Sequence, residues 1–309
     1  MEAWRHACCA RGEAAGGRLI AAGVNIDTGF LVLRHSAAQL TLDPDRGGAI
    51  REFSWNGRHV LRPTPALAGD DPFDTACFPM VPFVNRVAHG RFSFGGHTVQ
   101  LERNWSGDPH PLHGAGWRAR WMVLEASGAK ARLRFAGGAD EWPWAYRSEQ
   151  SFELLPDGLS IELSVENLSD KPMPAMLGLH PYFEDGAHAQ LRARLPRVWL
   201  TDGAALPIQE SPTPAKWRFE PARPVKAVAL DHSFSGWDGI AALRWPDRSV
   251  TLHARDCGSL HVYAPLDKDF FCVEPQTAAA GALGRNDAEA AVVAPGARFA
   301  IGMRLEVGA

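Results

Sequence analysis

The chain has few cysteines, little net charge and no long apolar run. Its five cysteines are odd in number and match no metal-site spacing, so we expect free thiols rather than a disulfide framework; they are Cys8, Cys9, Cys77, Cys257 and Cys272. The formal net charge of −3 would attract neither nucleic acid nor an anionic membrane. No apolar run reaches the ~18 residues of a membrane-spanning helix, and Met1 to Asn25 lacks the apolar region of a signal peptide. We therefore expect a cytoplasmic protein with no nucleic-acid or membrane partner.

Several enzyme motifs are also missing. The sequence has no glycine-rich phosphate loop, no serine in a nucleophile elbow and no alternation of strands with amphipathic helices. Reactions that need a nicotinamide or flavin therefore have no support, and we predict no cofactor.

The periodicity that is present has the period of β-strands. Apolar and polar residues alternate from Leu159 to Asn167, and similar short segments recur between turns such as Asn56-Gly57 and Pro156-Asp157-Gly158. Short strands at regular spacing predict an all-β fold, a large antiparallel β-sandwich. Residues 29–309 are predicted to form one domain, and residues 1–28, which have no periodicity, an N-terminal extension with little order.

Two distant stretches share one pattern, an ionisable residue between an apolar run and a proline. His180 lies in Leu177–Phe183, and Glu274 lies in Phe270–Gln276. Because proline pushes the preceding residue toward extended backbone, we expect His180 at the end of a strand. A buried, satisfied histidine is the alternative. Glu274 is harder to explain structurally, because burying a carboxylate without a partner is unfavourable. A paired acid and base suits chemistry that moves protons at both ends of one group.

Other candidates stand beside Gly- or Pro-rich segments. Phe78 to Val84 contains two prolines, which argue against a central strand and predict a rigid segment that presents Asn85 and Arg86. The preceding long loop from Arg62 to Ala76 is of a kind that is often functional.

Each of these polar residues also has a structural interpretation. Arg86 could form a surface salt bridge, His113 could be structural, and Asp231 could cap a turn. His110 and His113 could ligate a metal, but proline and glycine nearby exclude the helix that would place both on one face, so we predict no metal site.

Five motifs around these residues, in order along the chain, resemble those of the aldose 1-epimerase (galactose mutarotase) family. They are Asn85-Arg86, Leu112-His113-Gly114, His180-Pro181-Tyr182-Phe183, Leu230 to Phe234, and Val273 to Thr277. The likeness extends from about Leu31 to Val307. It implies a galactose mutarotase-like supersandwich, a monosaccharide substrate, a monomer or homodimer, and no metal or organic cofactor.

The resemblance also implies roles for single residues. Glu274 resembles the base that deprotonates the anomeric hydroxyl, and His180 the acid that protonates the ring oxygen. The remaining implied residues bind the sugar; they are Asn85, Arg86, His113, Tyr182 and Asp231.

The sequence departs from the family pattern at two positions. The galactose-specific branch often has serine at the position of Pro181, and glutamine is common near the position of His261. These departures fit a divergent bacterial-type aldose epimerase.

Three alternatives to the aldose 1-epimerase interpretation remain open. One is a hexose-6-phosphate mutarotase, with a phosphate pocket drawn from Arg62, Arg118 or Arg120. The second is a non-catalytic carbohydrate-binding protein on the same fold. The third is a β-sandwich metalloenzyme that uses His110 and His113.

Overall fold

A computed structural model describes residues 19–20, 29–138, 141–285 and 290–308 of the chain. Strands predominate in these ranges. In chain order they are β1 (Leu19–Ile20), β2 (Leu31–His35), β3 (Ala38–Asp43), β4 (Ala49–Trp55), β5 (Arg58–His59), β6 (Cys77–Met80), β7 (Arg91–Phe94), β8 (His97–Gln100), β9 (Met122–Ala126), β10 (Lys130–Gly137), β11 (Tyr146–Leu155), β12 (Gly158–Asn167), β13 (Met173–Ala175), β14 (Gly178–Glu184), β15 (Gln190–Ala193), β16 (Arg197–Thr201), β17 (Pro207–Pro212), β18 (Phe219–Pro224), β19 (Leu230–Ser235), β20 (Ile240–Arg244), β21 (Ser249–Arg255), β22 (Ser259–Ala264), β23 (Phe270–Gln276), β24 (Ala291–Val293) and β25 (Arg298–Gly308).

Helices are few and short in the described ranges. One α-helix, α1, spans Ala282–Arg285, and four 3₁₀ helices span Pro72–Asp74, Ala88–Gly90, Ala215–Trp217 and Val225–Ala227. No helix there is long and apolar enough to cross a membrane.

Two large sheets hold most of the strands. The first has the order β1-β9-β10-β11-β12-β25-β21-β20-β15-β18, and the second has the order β17-β16-β19-β22-β23-β14-β6-β4-β3-β2, with β5 paired to β4. The pairs β13-β24 and β7-β8 lie outside these sheets. The described pairings within the two large sheets are antiparallel except for β1 with β9. The predicted large antiparallel β-sandwich is therefore confirmed.

The core between the sheets follows from the alternation of side chains along each strand. In β12, Leu159, Ile161 and Leu163 are fully buried while the intervening Ser160 and Glu162 are partly exposed. Leu163 lies opposite Ile301 of β25, which is also buried. Because successive residues of a strand point to opposite faces, the apolar set of each strand joins one shared cluster.

The second sheet uses both of its faces. In β22, Leu260 and Val262 are buried in the apolar core, whereas the alternate residues His261 and Tyr263 point the other way. Strands β19, β22, β23 and β14 are consecutive neighbours in this sheet. Polar residues on their second faces are therefore brought side by side.

Two local predictions were wrong, because both treated a proline as evidence against the interior of a strand. Cys77–Met80 is an interior strand, β6, although it contains Pro79. Its pairing with β4 is limited to Cys77 opposite Ile50, so few ladder hydrogen bonds are required on that side. His180 is not at a strand end but inside β14, because the extended backbone that precedes a proline also suits a strand.

The prediction of an extension falls almost wholly outside the described residues. Within residues 1–28 only Leu19–Ile20 is described, and this pair forms β1, which pairs in parallel with β9. The prediction of a single domain over residues 29–309 stays a prediction.

Leu163→Ala should destabilise the protein. Leu163 is fully buried opposite Ile301, so its removal should lower the free energy of unfolding by about 2–5 kcal/mol. The matched change Leu168→Ala, at a residue that is 46% exposed, should lower it by less than about 1 kcal/mol. Urea unfolding measures both. Equal losses would contradict the assigned core.

Candidate active site

A cavity of about 360 Å³ lies on the second face of the β14-β23-β22-β19 region. Its lining comes from four adjacent strands and three loops. The lining residues are Arg62, Phe73, Asp74, Asn85, Arg86, Leu112, His113, His180, Tyr182, Asp231, His261, Tyr263, Phe270 and Glu274. All seven site residues that the sequence predicted are among them.

The floor of the cavity holds an imidazole beside a carboxylate. His180 Nε2 lies 3.3 Å from Glu274 Oε1, and the two side chains are 8% and 1% exposed. The two residues are on neighbouring strands, and the register Gly178 opposite Gln276 and Tyr182 opposite Cys272 brings them level. Glu274 Oε2 accepts a hydrogen bond from Gln276 Nε2 at 3.0 Å. One carboxylate oxygen therefore accepts a hydrogen bond, and the other faces the imidazole.

Aromatic rings hold the imidazole in place. The ring centroid of His180 is 4.4 Å from that of Phe78 on β6 and 4.7 Å from that of Tyr182, which is nearly parallel to it. The Arg62 guanidinium lies over the Tyr182 ring at 4.0 Å. Its Nη2 donates to the carbonyl oxygens of Phe73 and Thr75, at 2.5 and 2.9 Å. The buried rings leave His180 little freedom to rotate.

A second histidine is fixed by the backbone. His113 Nδ1 accepts a hydrogen bond from the N–H of Asn85 at 3.2 Å, and the His113 N–H donates to the Asn85 carbonyl at 3.0 Å. Because Nδ1 accepts, the ring proton of neutral His113 is on Nε2. The next residue, Gly114, has φ +71°, and a Cβ there would lie 2.2 Å from the Val81 carbonyl oxygen. Only glycine fits at this crossing.

Arg86 is anchored at one edge of its guanidinium. Its Nε donates to Asp108 Oδ2 at 2.7 Å, and its Nη1 lies 3.4 Å from Asn85 Oδ1. Asn85 Oδ1 also accepts the Arg86 N–H at 2.9 Å. These contacts hold the guanidinium at the cavity wall.

Asp231 is paired with a third histidine. His261 Nε2 lies 3.0 Å from Asp231 Oδ1, and His261 Nδ1 lies 2.9 Å from Ser233 Oγ. The strand register produces this group, because Ser233 on β19 is opposite His261 on β22 and His261 is opposite Glu274 on β23. The Asp231 carboxylate and the His261 imidazole thus lie on adjacent strands, and His261 is the cross-strand neighbour of Glu274.

Burial shifts the pKa values of the floor pair in opposite directions. Burial, with the nearby Asp231 carboxylate, raises the pKa of Glu274 to about 7 against the opposing effect of His261. Burial and the charge of His261 lower the pKa of His180 well below its usual value. Each shift disfavours the charged form of a buried group.

The residues around the pair are also shifted. Burial raises the pKa of Asp231, but the hydrogen bond and charge of His261 outweigh it and lower that pKa to about 2. Burial and the charge of His180 lower the pKa of His113. At neutral pH the site therefore offers an ionised Asp231 and a neutral His113.

Several lining residues were missed as site residues by sequence reasoning. Phe73, Tyr263 and Phe270 were not singled out, and His261 was noted only as a departure from a family pattern. The sequence did contain a signal for His261 and Tyr263. The alternate residues Leu260, Val262 and Ala264 mark the apolar face of that strand, so His261 and Tyr263 lie on its other face. For Phe73, in a 3₁₀ helix within the long loop, the sequence offered no periodic signal.

The arginines proposed for a phosphate pocket do not cluster. Arg62 lines this cavity, but Arg118 and Arg120 line two others. His110, one of the two suggested metal ligands, does not line the cavity, and its Nδ1 accepts the His89 N–H at 3.2 Å. Within the described ranges, the three donors that lie within 4.8 Å of one another and could hold a metal are on His180, Cys272 and Glu274.

The large antiparallel sandwich has the architecture of galactose mutarotase-like proteins. The structure of such a protein from Clostridium acetobutylicum superposes with a TM-score of 0.80 at 19% identity, over 90% of this chain and 95% of that chain. A structure of a provisionally assigned aldose 1-epimerase from Escherichia coli K12 superposes with a TM-score of 0.84 at 28% identity, over 90% and 98%.

Sequence comparison gives the family directly. The model of the aldose 1-epimerase family matches residues 31–306, so the chain belongs to this family. Among its relatives is the uncharacterised protein YphB of Escherichia coli K12, which is 31% identical over 256 residues, 79% of this chain and 87% of YphB.

Glu274→Gln should make stability less dependent on pH. The carboxyl has a pKa of about 7 in the folded protein against 4.5 ordinarily, so the folded state binds the proton more tightly. The stability that this tighter proton binding contributes is complete below the pKa of Glu274 in the unfolded state, and it is lost as the pH rises through about 7. Between pH 5 and pH 8 the free energy of unfolding of Glu274→Gln, measured relative to that of wild type, should therefore rise by about 2–3 kcal/mol.

Urea unfolding at the two pH values measures this gain. Glu125→Gln, at an exposed glutamate, is the control for removing a charge. A constant difference between wild type and Glu274→Gln at both pH values would contradict a raised pKa for Glu274.

Proposed function

We propose that the protein is an aldose 1-epimerase, an isomerase that interconverts the α and β anomers of a free aldohexose by acid–base ring opening. The observation that carries this is the buried pair at the cavity floor, His180 Nε2 and Glu274 Oε1 at 3.3 Å. Mutarotation removes a proton from the anomeric oxygen and gives a proton to the ring oxygen. Two groups at this separation can reach both oxygens.

In the proposed cycle Glu274 accepts the proton of the anomeric hydroxyl. His180 gives a proton to the ring oxygen, the bond from C1 to that oxygen breaks, and C1 becomes an aldehyde. Rotation about C1–C2 exposes the other face of the carbonyl. Ring closure returns the first proton from Glu274 and the second to His180, so both groups end as they began.

The pKa shifts suit these two roles. A carboxylate whose pKa is raised to about 7 is a stronger base than an ordinary glutamate. An imidazolium whose pKa is lowered is a stronger acid, which matters because the ring oxygen is a weak base. The pair is competent when it holds one proton in total, which the two groups share as a coupled system.

The other predicted residues are proposed to bind the sugar. Arg86 and the Nε2–H of His113 are donors to sugar oxygens near the reacting centre, where they would stabilise negative charge on the ring oxygen. Asp231, ionised at neutral pH, accepts a sugar hydroxyl. Asn85 holds His113 and Arg86 through the contacts above, and Tyr182 forms a wall beside His180.

A free sugar is favoured over a hexose 6-phosphate. Arg62 is the only one of the three suggested arginines at this cavity, and its Nη2 is occupied by two backbone carbonyls. A protein that only binds carbohydrate remains the other candidate, but binding alone gives no reason to bury an imidazole beside a carboxylate.

Polarimetry of freshly dissolved α-D-glucose and α-D-galactose tests the activity. Wild type should speed the approach to anomeric equilibrium, and His180→Ala and Glu274→Gln should each lose at least about 100-fold of that gain, the usual effect of removing a general acid or base. His188→Ala is the control, because His188 is an exposed histidine 65% accessible in its side chain.

The outcomes separate the alternatives. Activity on hexose 6-phosphates alone would favour the phosphate-sugar alternative. Binding of sugar with no rate gain on any substrate would favour a binding protein. Full activity in both variants would show that the acid and base are misassigned.

The pH dependence provides a further test. If the competent pair holds one proton, kcat/KM should follow a bell whose alkaline limb falls through about pH 7, where Glu274 with its raised pKa loses the last shared proton. The acid limb should lie well below the usual histidine range, since the pKa of His180 is lowered. A rate that keeps rising above pH 8, after subtraction of the uncatalysed rate, would contradict an imidazolium acid.

A further inference from the structure

His261 lines the cavity, but both of its ring nitrogens are already engaged by protein groups. It is 5% exposed, and its Nε2 faces Asp231 Oδ1 at 3.0 Å. On the other side Nδ1 faces Ser233 Oγ at 2.9 Å and Asn85 Nδ2 at 3.4 Å. The ring has no free nitrogen for a substrate, so any effect it has on the reaction passes through its neighbours.

The neighbours of Nδ1 determine which nitrogen carries the ring proton. Asn85 Oδ1 accepts the Arg86 N–H, which turns the amide NH₂ toward His261. Ser233 Oγ accepts the Ala280 N–H at 3.1 Å and keeps its own hydroxyl proton to donate. Two donors therefore face Nδ1, and neutral His261 carries its proton on Nε2, where Asp231 accepts it.

Protonation of His261 does not change the hydrogen bond from its Nε2–H to Asp231. Burial lowers the pKa of His261, but the carboxylates of Glu274 and Asp231 outweigh burial and raise it. In the imidazolium both nitrogens carry protons, and Ser233 Oγ can turn to accept the second. Nε2–H donates to Asp231 in both states.

Asp231 is held at one oxygen and open at the other. Oδ1 accepts from His261, while Oδ2 has no hydrogen-bond partner among the described residues, and the side chain is 39% exposed to the cavity. A carboxylate on a free side chain could rotate about its Cβ–Cγ bond. The bond from His261 restricts that rotation and leaves Oδ2 as the oxygen available to a substrate.

We propose that His261 is a positioning residue that orients the Asp231 carboxylate toward a substrate hydroxyl, and so determines sugar affinity rather than proton transfer. This rests on the proposed sugar-binding role of Asp231. The hydrogen bond from His261 holds the Asp231 acceptor in place before the sugar binds. Less side-chain entropy is therefore lost on binding.

Two variants separate the two sides of the ring. In His261→Gln the side-chain amide reaches the position of Nε2 and can still donate to Asp231. In His261→Asn the shorter amide reaches only the position of Nδ1 and cannot. Each variant is compared at its own pH optimum, because loss of the His261 charge also shifts the pKa values of Glu274 and His180. His261→Asn should raise KM and the sugar Kd about 10-fold or more, as expected for a lost bond to a charged group, and change the optimal kcat less than about 3-fold. His261→Gln should stay within about 3-fold of wild type in both.

The double variant with Asp231→Ala tests whether His261 acts through Asp231. In the Asp231→Ala background, His261→Asn should add less than about 2-fold to KM or Kd, because the acceptor that His261 positions is already gone. Full additivity would overturn the proposal. Equal losses in both His261 variants, accompanied by lower melting temperatures, would overturn it in favour of a purely structural role.

The test does not depend on turnover. Isothermal titration with D-glucose and D-galactose at anomeric equilibrium gives Kd even if the protein lacks mutarotase activity, in which case the proposed function fails and this proposal is judged on Kd. Long-range ¹H–¹⁵N NMR of the imidazole needs no sugar. Nε2 of His261 should be protonated, and Asp231→Asn should shift its resonance more than His188→Ala does. An unprotonated Nε2 would overturn the proposal.

Discussion

The cavity is built around a buried carboxylate, Glu274, which lies in the interior of a β-sheet next to an imidazole. Burying either charge alone is unfavourable by several kcal/mol. The surroundings reduce this penalty. Gln276 donates to one carboxylate oxygen, His180 lies against the other, and His261 and Arg86 add favourable charge. What remains of the penalty appears as a raised pKa for Glu274 and a lowered pKa for His180, and these shifts suit the two groups to proton transfer.

The rigidity of this arrangement comes from the same strands that form the core. Along β22 and β23 every second side chain is an apolar residue buried between the sheets, and the alternate positions include the cavity-lining residues His261, Tyr263, Phe270 and Glu274. A shift of register by one residue would turn Leu260 and Val273 out and His261 and Glu274 in, so core packing also holds the geometry of the cavity. Loops contribute the rest. His113 and Arg86 reach the site from outside the strands. Hydrogen bonds to Asn85 and Asp108 fix them, and the His113 ring also packs against Phe78 and Trp117.

Sequence reasoning anticipated much of this because alternation is a local property. The β12 strand and the turn at Pro156-Asp157-Gly158 that joins it to β11 could be read from residue types, and the polar residues beside prolines proved to share one cavity. It failed where proline was taken as a boundary. Whether Pro79 or the His180-Pro181 pair can lie in the interior of a strand depends on which groups of the neighbouring strands need a hydrogen-bond donor. That in turn depends on the order of the strands in the sheet. Arg62 shows a different limit: its guanidinium looked available for a phosphate, yet the folded loop occupies Nη2 with two carbonyls.

The sequence by itself determined the class of fold and the chemical types at the site, because strand period, turn residues and the motifs around His180 and Glu274 are written locally. The tertiary structure alone decided the geometry. That His261 faces Glu274 on one side and Ser233 on the other follows from the pairing of β19, β22 and β23. The 3.3 Å contact of His180 with Glu274 joins residues nearly a hundred positions apart. Strand order and register are set by the packing of the whole core, which no single stretch of the chain encodes.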